Sequence, residues 1–190
     1  MNALVVPKVF TKEQCESIIS FHTDWPGNGG YVGDNENRKI DTSNRQCMVY
    51  IPPSVEYVPN WLVSGIFKTI NVANKEVFNF DLGKGNAEGK RAQIDLNLVK
   101  YDPDGHFDTH VDLGKGTTSS LRKISFTLLL NDSYEGGKLA FDILPELSEN
   151  YPEIGDMILF PSYLTHRVEL ITAGVRWALV GWIISDKPFR

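Results

Sequence analysis

Cysteine is scarce: Cys15 and Cys47 are the only two in 190 residues, and no C-x-x-C or comparable zinc-ligand spacing is present. Both are expected as buried or half-buried free thiols, which fits a reducing compartment. Positive charge is in deficit as well. With 19 Lys and Arg against 24 Asp and Glu, the net charge is -5 and the pI about 5.4. That balance argues against charge-driven binding of nucleic acid, which needs a basic footprint. The one basic stretch, Lys84 to Arg91, reads as a solvated hairpin tip. No apolar run approaches bilayer length, and the opening run Met1 to Pro7 is too short for a signal peptide. The expectation is a soluble, cytoplasmic protein with neither nucleic acid nor membrane as partner. Without repeats, low-complexity tracts or linkers, residues 1–190 read as a single domain.

Two helices are legible early in the chain. Thr11 followed by Gln14 is a capping box opening a helix through Phe21, with Ile18, Ile19 and Phe21 toward the core. Trp61 to Val77 is amphipathic through Leu62, Ile66, Ile70 and Val77. Trp25 to Arg45 reads as a long loop, a candidate lid, and Gln46 to Ile51 as a strand broken by Pro52-Pro53. Strands dominate after the turn Gly83 to Gly89. Ala92 to Tyr101 alternates, with Ile94, Leu96 and Leu98 on one face and Asp95, Asn97 and Tyr101 on the other, so Asp95 and Asn97 are candidate pocket residues. Leu121 to Asn131 and Met157 to Phe160 are apolar enough for burial on both faces. Short strands between glycine turns predict a mainly β fold with flanking helices (α+β), a double-stranded β-helix or jelly roll of the cupin kind.

The chemistry concentrates at His110 and Asp112, which are separated by one residue and therefore share a direction in an extended chain. Two imidazoles and one carboxylate can hold iron(II) on one face and leave the other open, and His166, after the buried run Asp156 to Pro161, can supply the third ligand. Arg176 lies ten residues further on and opens the strand Arg176 to Ile184, where it shares a face with Trp182. A guanidinium there offers a two-pronged donor to a carboxylate. A metal face together with a carboxylate anchor suits a 2-oxo acid. His22 and His106 have no partner at ligand spacing and read as hydrogen-bonded or surface residues, while Asp108 reads as solvated.

The segment Tyr101 to Asp112, with Gly105, Phe107 and the H-x-D, resembles the signature of prolyl 4-hydroxylase-like iron(II) and 2-oxoglutarate-dependent dioxygenases. The resemblance continues in family order through Leu128-Leu129-Leu130-Asn131, Glu135-Gly136-Gly137-Lys138-Leu139, Gly155-Asp156, His166, Arg176 and Trp182. It implies Fe(2+) held by His110, Asp112 and His166, 2-oxoglutarate as cosubstrate, dioxygen as co-reactant and ascorbate as reductant. It implies further that Arg176, Tyr101 and Trp182 face the cosubstrate, and that no catalytic residue is needed beyond the metal centre. Many relatives carry a tyrosine where this chain has Leu128 and Leu129, so Thr127 is the candidate for the hydroxyl that helps Arg176.

The implied activity is hydroxylation of a C-H bond, most directly of a prolyl residue in a peptide or protein, with a free amino acid or other small molecule as the alternative. The Trp25 to Arg45 loop and the Lys84 to Arg91 turn are candidate clamps on substrate. Two rivals come from other classes. A non-catalytic metal or 2-oxoglutarate-binding module has little need of both Arg176 and an intact ligand set. A zinc hydrolase lacks an adjacent general base and leaves Arg176 unexplained.

Overall fold

The computed structural model describes residues 3–33, 39–83, 93–142 and 151–189; the basic turn Lys84 to Arg91 falls outside them. In chain order the elements are β1 (Leu4–Val6), α1 (Lys12–Ser20), β2 (Gly27–Gly29), β3 (Tyr31–Val32), β4 (Lys39–Ile40), β5 (Arg45–Gln46), β6 (Met48–Tyr50) and α2 (Asn60–Ala73). There follow β7 (Gln93–Tyr101), β8 (His106–His110), β9 (Arg122–Leu129), β10 (Tyr134–Gly136), β11 (Leu139–Phe141), β12 (Met157–Pro161), β13 (His166–Val168), β14 (Ile171–Gly174) and β15 (Arg176–Ile184).

A seven-stranded sheet runs β1-β12-β9-β15-β7-β6-β2, and a four-stranded sheet runs β11-β13-β8-β5. All pairings within them are antiparallel. Strand alternation gives the large sheet two different faces. Leu96, Leu98, Ile124, Phe126, Leu128, Met157, Leu159, Leu179 and Ile183 point to one side, where α1 and α2 cover them with Cys15, Ile18, Leu62, Ile66 and Ile70. Val99, Tyr101, Ile158 and Phe160 point to the other, toward Leu139, Phe141 and Val168 of the small sheet. The result is the expected jelly roll with its helices outside one sheet. Among the described residues, no helix is long and apolar enough to cross a membrane.

Local sequence accounts for the helix ends. Thr11 accepts the Gln14 N–H while the Gln14 side chain accepts the Thr11 N–H, the reciprocal cap expected of this spacing. The second helix departs from expectation in its last turn. After Ala73 the backbone widens into a π-turn, Asn74–Phe78, closed by Asn79 in the left-handed region at φ 52°. The Asn74 side chain ties this end down by bonding both the N–H and the C=O of Phe80. One extra residue per turn rotates Val77 outward, 46% exposed, and brings Phe78 into the core at 1%.

Two further expectations are corrected by topology. The strand expected over Gln46 to Ile51 is two strands in different sheets, because the chain crosses from β5 to β6 at Cys47. The stretch read as a loop from Trp25 contains β2, which extends the edge of the large sheet against β6, and the β3-β4 hairpin. Side-chain alternation could not reveal β2, since it is Gly-Asn-Gly. A Cβ on Gly27 would sit 2.8 Å from the Tyr50 ring, so the glycine is what lets that ring lie over the edge strand.

The π-turn makes a sharp prediction about neighbouring residues. Phe78→Ala is expected to cost about 3–5 kcal/mol in urea unfolding, and Val77→Ala less than about 0.5 kcal/mol. The opposite order would show a regular helix in solution.

Candidate metal and anion site

His110 closes β8 and His166 opens β13, and the two are paired directly across the strands, with Phe141 of β11 on the far side of His166. Their rings lie 4.2 Å apart, and His110 stacks on Phe107 at 3.6 Å. Each imidazole is held by a backbone carbonyl at Nδ1: Asp108 O at 2.7 Å for His110 and Leu164 O at 2.9 Å for His166. A carbonyl only accepts, so Nδ1 carries a proton in both rings, and in the neutral tautomer this selects, Nε2 is the nitrogen with the lone pair.

Both Nε2 atoms face one carboxylate. Asp112 has Oδ1 3.7 Å from His110 Nε2 and Oδ2 3.6 Å from His166 Nε2. These separations are too long for hydrogen bonds. They suit three donors around a shared cation, and all the ligand atoms lie within 4.8 Å of one another. Among the described residues this is the single cluster of three or more such side chains. Asp112 lies just beyond β8, so strand periodicity alone does not aim it. Its N–H and that of Leu113 both donate to Ser162 O, at 3.0 and 2.8 Å, and the buried Ser162 hydroxyl accepts that of Ser125. Arg122 donates to Asp112 O at 3.2 Å while its guanidinium lies 3.9 Å over the Trp182 ring.

Burial, reinforced by the neighbouring His166 charge, pushes the His110 pKa down to about 4. Burial alone would raise the Asp112 carboxyl, but the two facing imidazoles outweigh it and hold it below the usual range. An unprotonated imidazole beside an ionised carboxylate is the state a cation needs.

The inward face of β15 supplies the rest. Trp182 is level with Asp95 of β7 and Ser125 of β9, and Val180 with Asn97 and Thr127. Asp95, Asn97, Thr127, Val180 and Trp182 all line a cavity of about 850 Å³ that also reaches His110, Asp112 and His166. The expected pocket face of β7 is therefore the one facing the cluster of His110, Asp112 and His166. Burial raises the Asp95 carboxyl, against the opposing charge of Arg122.

Arg176 sits at the other end of that face, opposite Tyr101 and 1% exposed. It does not itself line the cavity; Tyr101 does, and the guanidinium lies 5.4 Å from the Tyr101 ring centre. The Asn131 side chain brackets it, donating to Val175 O at 2.7 Å and accepting the Trp177 N–H at 2.8 Å. Gly137, at φ 62°, leaves room for it, since a Cβ there would meet Ile171 at 2.1 Å and the Arg176 stem at 3.1 Å. Among the described residues no carboxylate pairs with this cation, and its Nε and one terminal nitrogen make no hydrogen bond. A buried, unpaired guanidinium is costly, and the seat is suited to an anion brought from outside. Tyr101, pushed up to about 12 by burial, keeps its proton beside it.

His22, His106 and Asp108 take no part in the cluster: His22 bonds Ile19 O, His106 bonds Asp104 O and Ser43 O, and Asp108 is exposed. Arg45 is the residue that sequence reading passed over. It lies 4.4 Å over the Phe107 ring, bonds Cys47 Sγ and Tyr31 O, and lines the cavity. Its position in a polar, glycine-rich stretch gave no periodic signal.

His110 titration sets a test on the metal-free protein. Its folded pKa lies below its unfolded value, so its stabilising contribution is present above the unfolded pKa near 6.5 and fades as pH falls toward 4. The wild-type melting temperature is expected to fall more steeply between pH 7 and 5 than that of His110→Ala. Parallel slopes would contradict the depressed pKa.

Residues 96–184 match the model of the 2OG-Fe(II) oxygenase superfamily. A PKHD-type hydroxylase of Synechococcus sp. (strain CC9311) is 42% identical over 93 residues, covering 46% of this chain and 40% of that protein. One from Hyphomonas neptunium is 38% identical over 82 residues, covering 42% and 36%. The chain thus spans less than half the length of these curated relatives. In overall fold it is similar to a Pseudomonas putida prolyl-4-hydroxylase, with TM-score 0.68, 16% identity and coverage of 97% of this chain and 93% of that one. A prolyl hydroxylase from Trichoplax adhaerens, solved with a hypoxia inducible factor peptide fragment, also gives TM-score 0.68, at 14% identity and 97% and 84% coverage. The matched segment begins on the cavity wall at β7, contains the His-Asp-His cluster and the buried arginine, and ends with β15.

Proposed function

We propose that the protein is an iron(II)- and 2-oxoglutarate-dependent dioxygenase that hydroxylates a C-H bond of a prolyl residue in a peptide or protein. One observation carries the reading: two imidazole Nε2 atoms face a carboxylate at non-bonding distances, in the same barrel as a buried arginine that lacks an anion. His110, Asp112 and His166 would hold the metal, and Arg176, Tyr101, Thr127 and Trp182 would serve the cosubstrate. An iron(II) ion there, with 2-oxoglutarate, would supply the dioxygen activation that C-H hydroxylation requires, with release of succinate and carbon dioxide.

The chain's own part is placement and exclusion of water. The carbonyls of Asp108 and Leu164 hold both imidazoles at Nδ1, so each ring is oriented with Nε2 toward the cluster. Ser162 and Arg122 hold the Asp112 backbone. Val99, Leu139, Phe160, Val168 and Val180 give the cavity an apolar wall, while Asp95, Asn97 and Arg122 add polar groups that orient a substrate.

The cavity rim favours a peptide. Val55 and Val111, 58% and 46% exposed, line the opening with Tyr31, Val32 and Pro52, an apolar margin along which an extended chain can lie. The same architecture carries a peptide in the Trichoplax adhaerens protein. A cytoplasmic location fits the two free thiols.

Succinate release, measured with iron(II), 2-oxoglutarate and proline-containing peptides against free amino acids, tests the proposal. Peptide-dependent turnover is expected, with Asp112→Ala abolishing it. Undiminished activity in Asp112→Ala would overturn the metal assignment, and turnover of an amino acid but no peptide would overturn the substrate.

A further inference from the structure

We infer that Asp95 selects substrate by charge, receiving a lysine or arginine side chain that the peptide carries beside the hydroxylated prolyl residue. The inference rests on the peptide-hydroxylase reading above and names the class of peptide that the cavity takes.

The inward face of β7 and β15 is a ladder whose levels are Tyr101 with Arg176, Val99 with Ala178, Asn97 with Val180, and Asp95 with Trp182. Arg176 and Asp95 stand at its opposite ends, about 20 Å apart at roughly 3.3 Å per residue along the strand. A five-carbon diacid anchored at Arg176, with bonds of about 1.5 Å, ends well short of Asp95. Asp95 is also outside the cluster of His110, Asp112 and His166. It nevertheless lines the cavity, together with Trp182 and Arg122. Among the described residues Asp95 and Asp112 are the two carboxylates of the cavity wall, and Asp112 faces the imidazoles. The carboxylate that serves neither metal nor cosubstrate is left for the substrate.

That carboxylate is short of a partner. Among the described residues Asp95 makes no side-chain hydrogen bond and no ion pair. The charge opposing it is Arg122, whose guanidinium is engaged elsewhere, on Asp112 O at 3.2 Å and 3.9 Å over the Trp182 ring. Half-buried and level with an indole, the Asp95 carboxylate has lost water without gaining a bonded cation, and burial accordingly raises its pKa. A cation from outside offsets that cost, whereas an anion meets a like charge. Placement sets which residue of the peptide is read. Asp112 is tied through Ser162 to Ser125, and Ser125, Trp182 and Asp95 are level across β9, β15 and β7. Two strand spacings, about 10 Å, therefore separate Asp95 from the Asp112 side of the cavity. A prolyl ring at the cluster does not bridge that gap. The next residue does, since consecutive Cα atoms are about 3.8 Å apart and lysine or arginine adds a long stem ending in charge.

The test is equilibrium binding of peptides to the full chain loaded with manganese(II) and 2-oxoglutarate, in wild type, Asp95→Asn and Asp95→Lys. The probes are N-acetylated, C-amidated peptides with a central proline and Lys, Gln or Glu immediately before or after it. Wild type is expected to bind a Lys peptide about tenfold more tightly than its Gln counterpart, as for one charge-assisted contact, and the Glu peptide more weakly still. Asp95→Asn, which keeps the shape, should erase the difference between Lys and Gln while manganese(II) and 2-oxoglutarate binding stay at wild type. Asp95→Lys should reverse the order of Lys and Glu. Equal affinity of wild type for all three side chains would overturn the inference and leave the hydroxylase reading standing. A Lys preference that survives in Asp95→Asn would overturn it too, by placing the selecting group elsewhere. So would loss of manganese(II) or 2-oxoglutarate binding in that variant, by showing a structural role. If manganese(II) and 2-oxoglutarate bind to wild type but no peptide does, the peptide reading fails and the selection with it.

Discussion

The register of β15 between β7 and β9 is the constraint on which the rest of the molecule depends. It pairs residue by residue with β7 from Arg176 opposite Tyr101 to Ile184 opposite Gln93, and with β9 along most of its length. A slip of one residue would turn Leu179 and Ile183 into the cavity and drive Arg176 and Trp182 against the helices. Neither outcome is tolerable, because the helix side is built from apolar side chains and cannot solvate a guanidinium. The same pairing that buries the core therefore aims the cavity wall. Asn131 reinforces it at the point of greatest electrostatic cost by bonding the backbone on both sides of Arg176.

The small sheet does the complementary work for the proposed metal site. Its strands are three to five residues long where they carry the ligands, and the pairing of His166 with His110 sets the two imidazoles face to face. The third ligand is not strand-borne. Asp112 is hooked to Ser162, which follows β12 of the large sheet, so the cluster closes across both sheets. Rigid placement of this kind, with each donor's tautomer or backbone fixed by a neighbour, is what a metal centre needs from its scaffold. The electrostatics agree: the cluster carries one depressed carboxyl and a depressed imidazole, while cationic Arg45, Arg122 and Arg176 stand around the cavity or just behind it.

Much of this was legible in the sequence, for physical reasons. His110, Asp112 and His166 could be grouped from the H-x-D spacing and the buried run before His166, although β8 ends at His110 and Asp112 is placed by Ser162 rather than by the strand, and Arg176 with Trp182 because even spacing on a strand preserves the face. The faces of β7 could be sorted because Ile94, Leu96 and Leu98 alternate cleanly with polar residues. What was missed depends on tertiary pairing. The π-turn that exchanges Val77 for Phe78 breaks the 3.6-residue period without a proline or glycine to mark it. The crossing at Cys47 leaves no trace in composition, and Arg45 acquires meaning only once β5 lies beside β8.

The central claim is that one barrel holds a metal at His110, Asp112 and His166 and an anion at Arg176. A crystal structure of the protein soaked with manganese(II) and 2-oxoglutarate tests it most directly. The account predicts the ion bound by those three side chains, with the keto acid end of 2-oxoglutarate on the ion and its far carboxylate against Arg176. An ion bound elsewhere, or a carboxylate that leaves Arg176 unpaired, would contradict it.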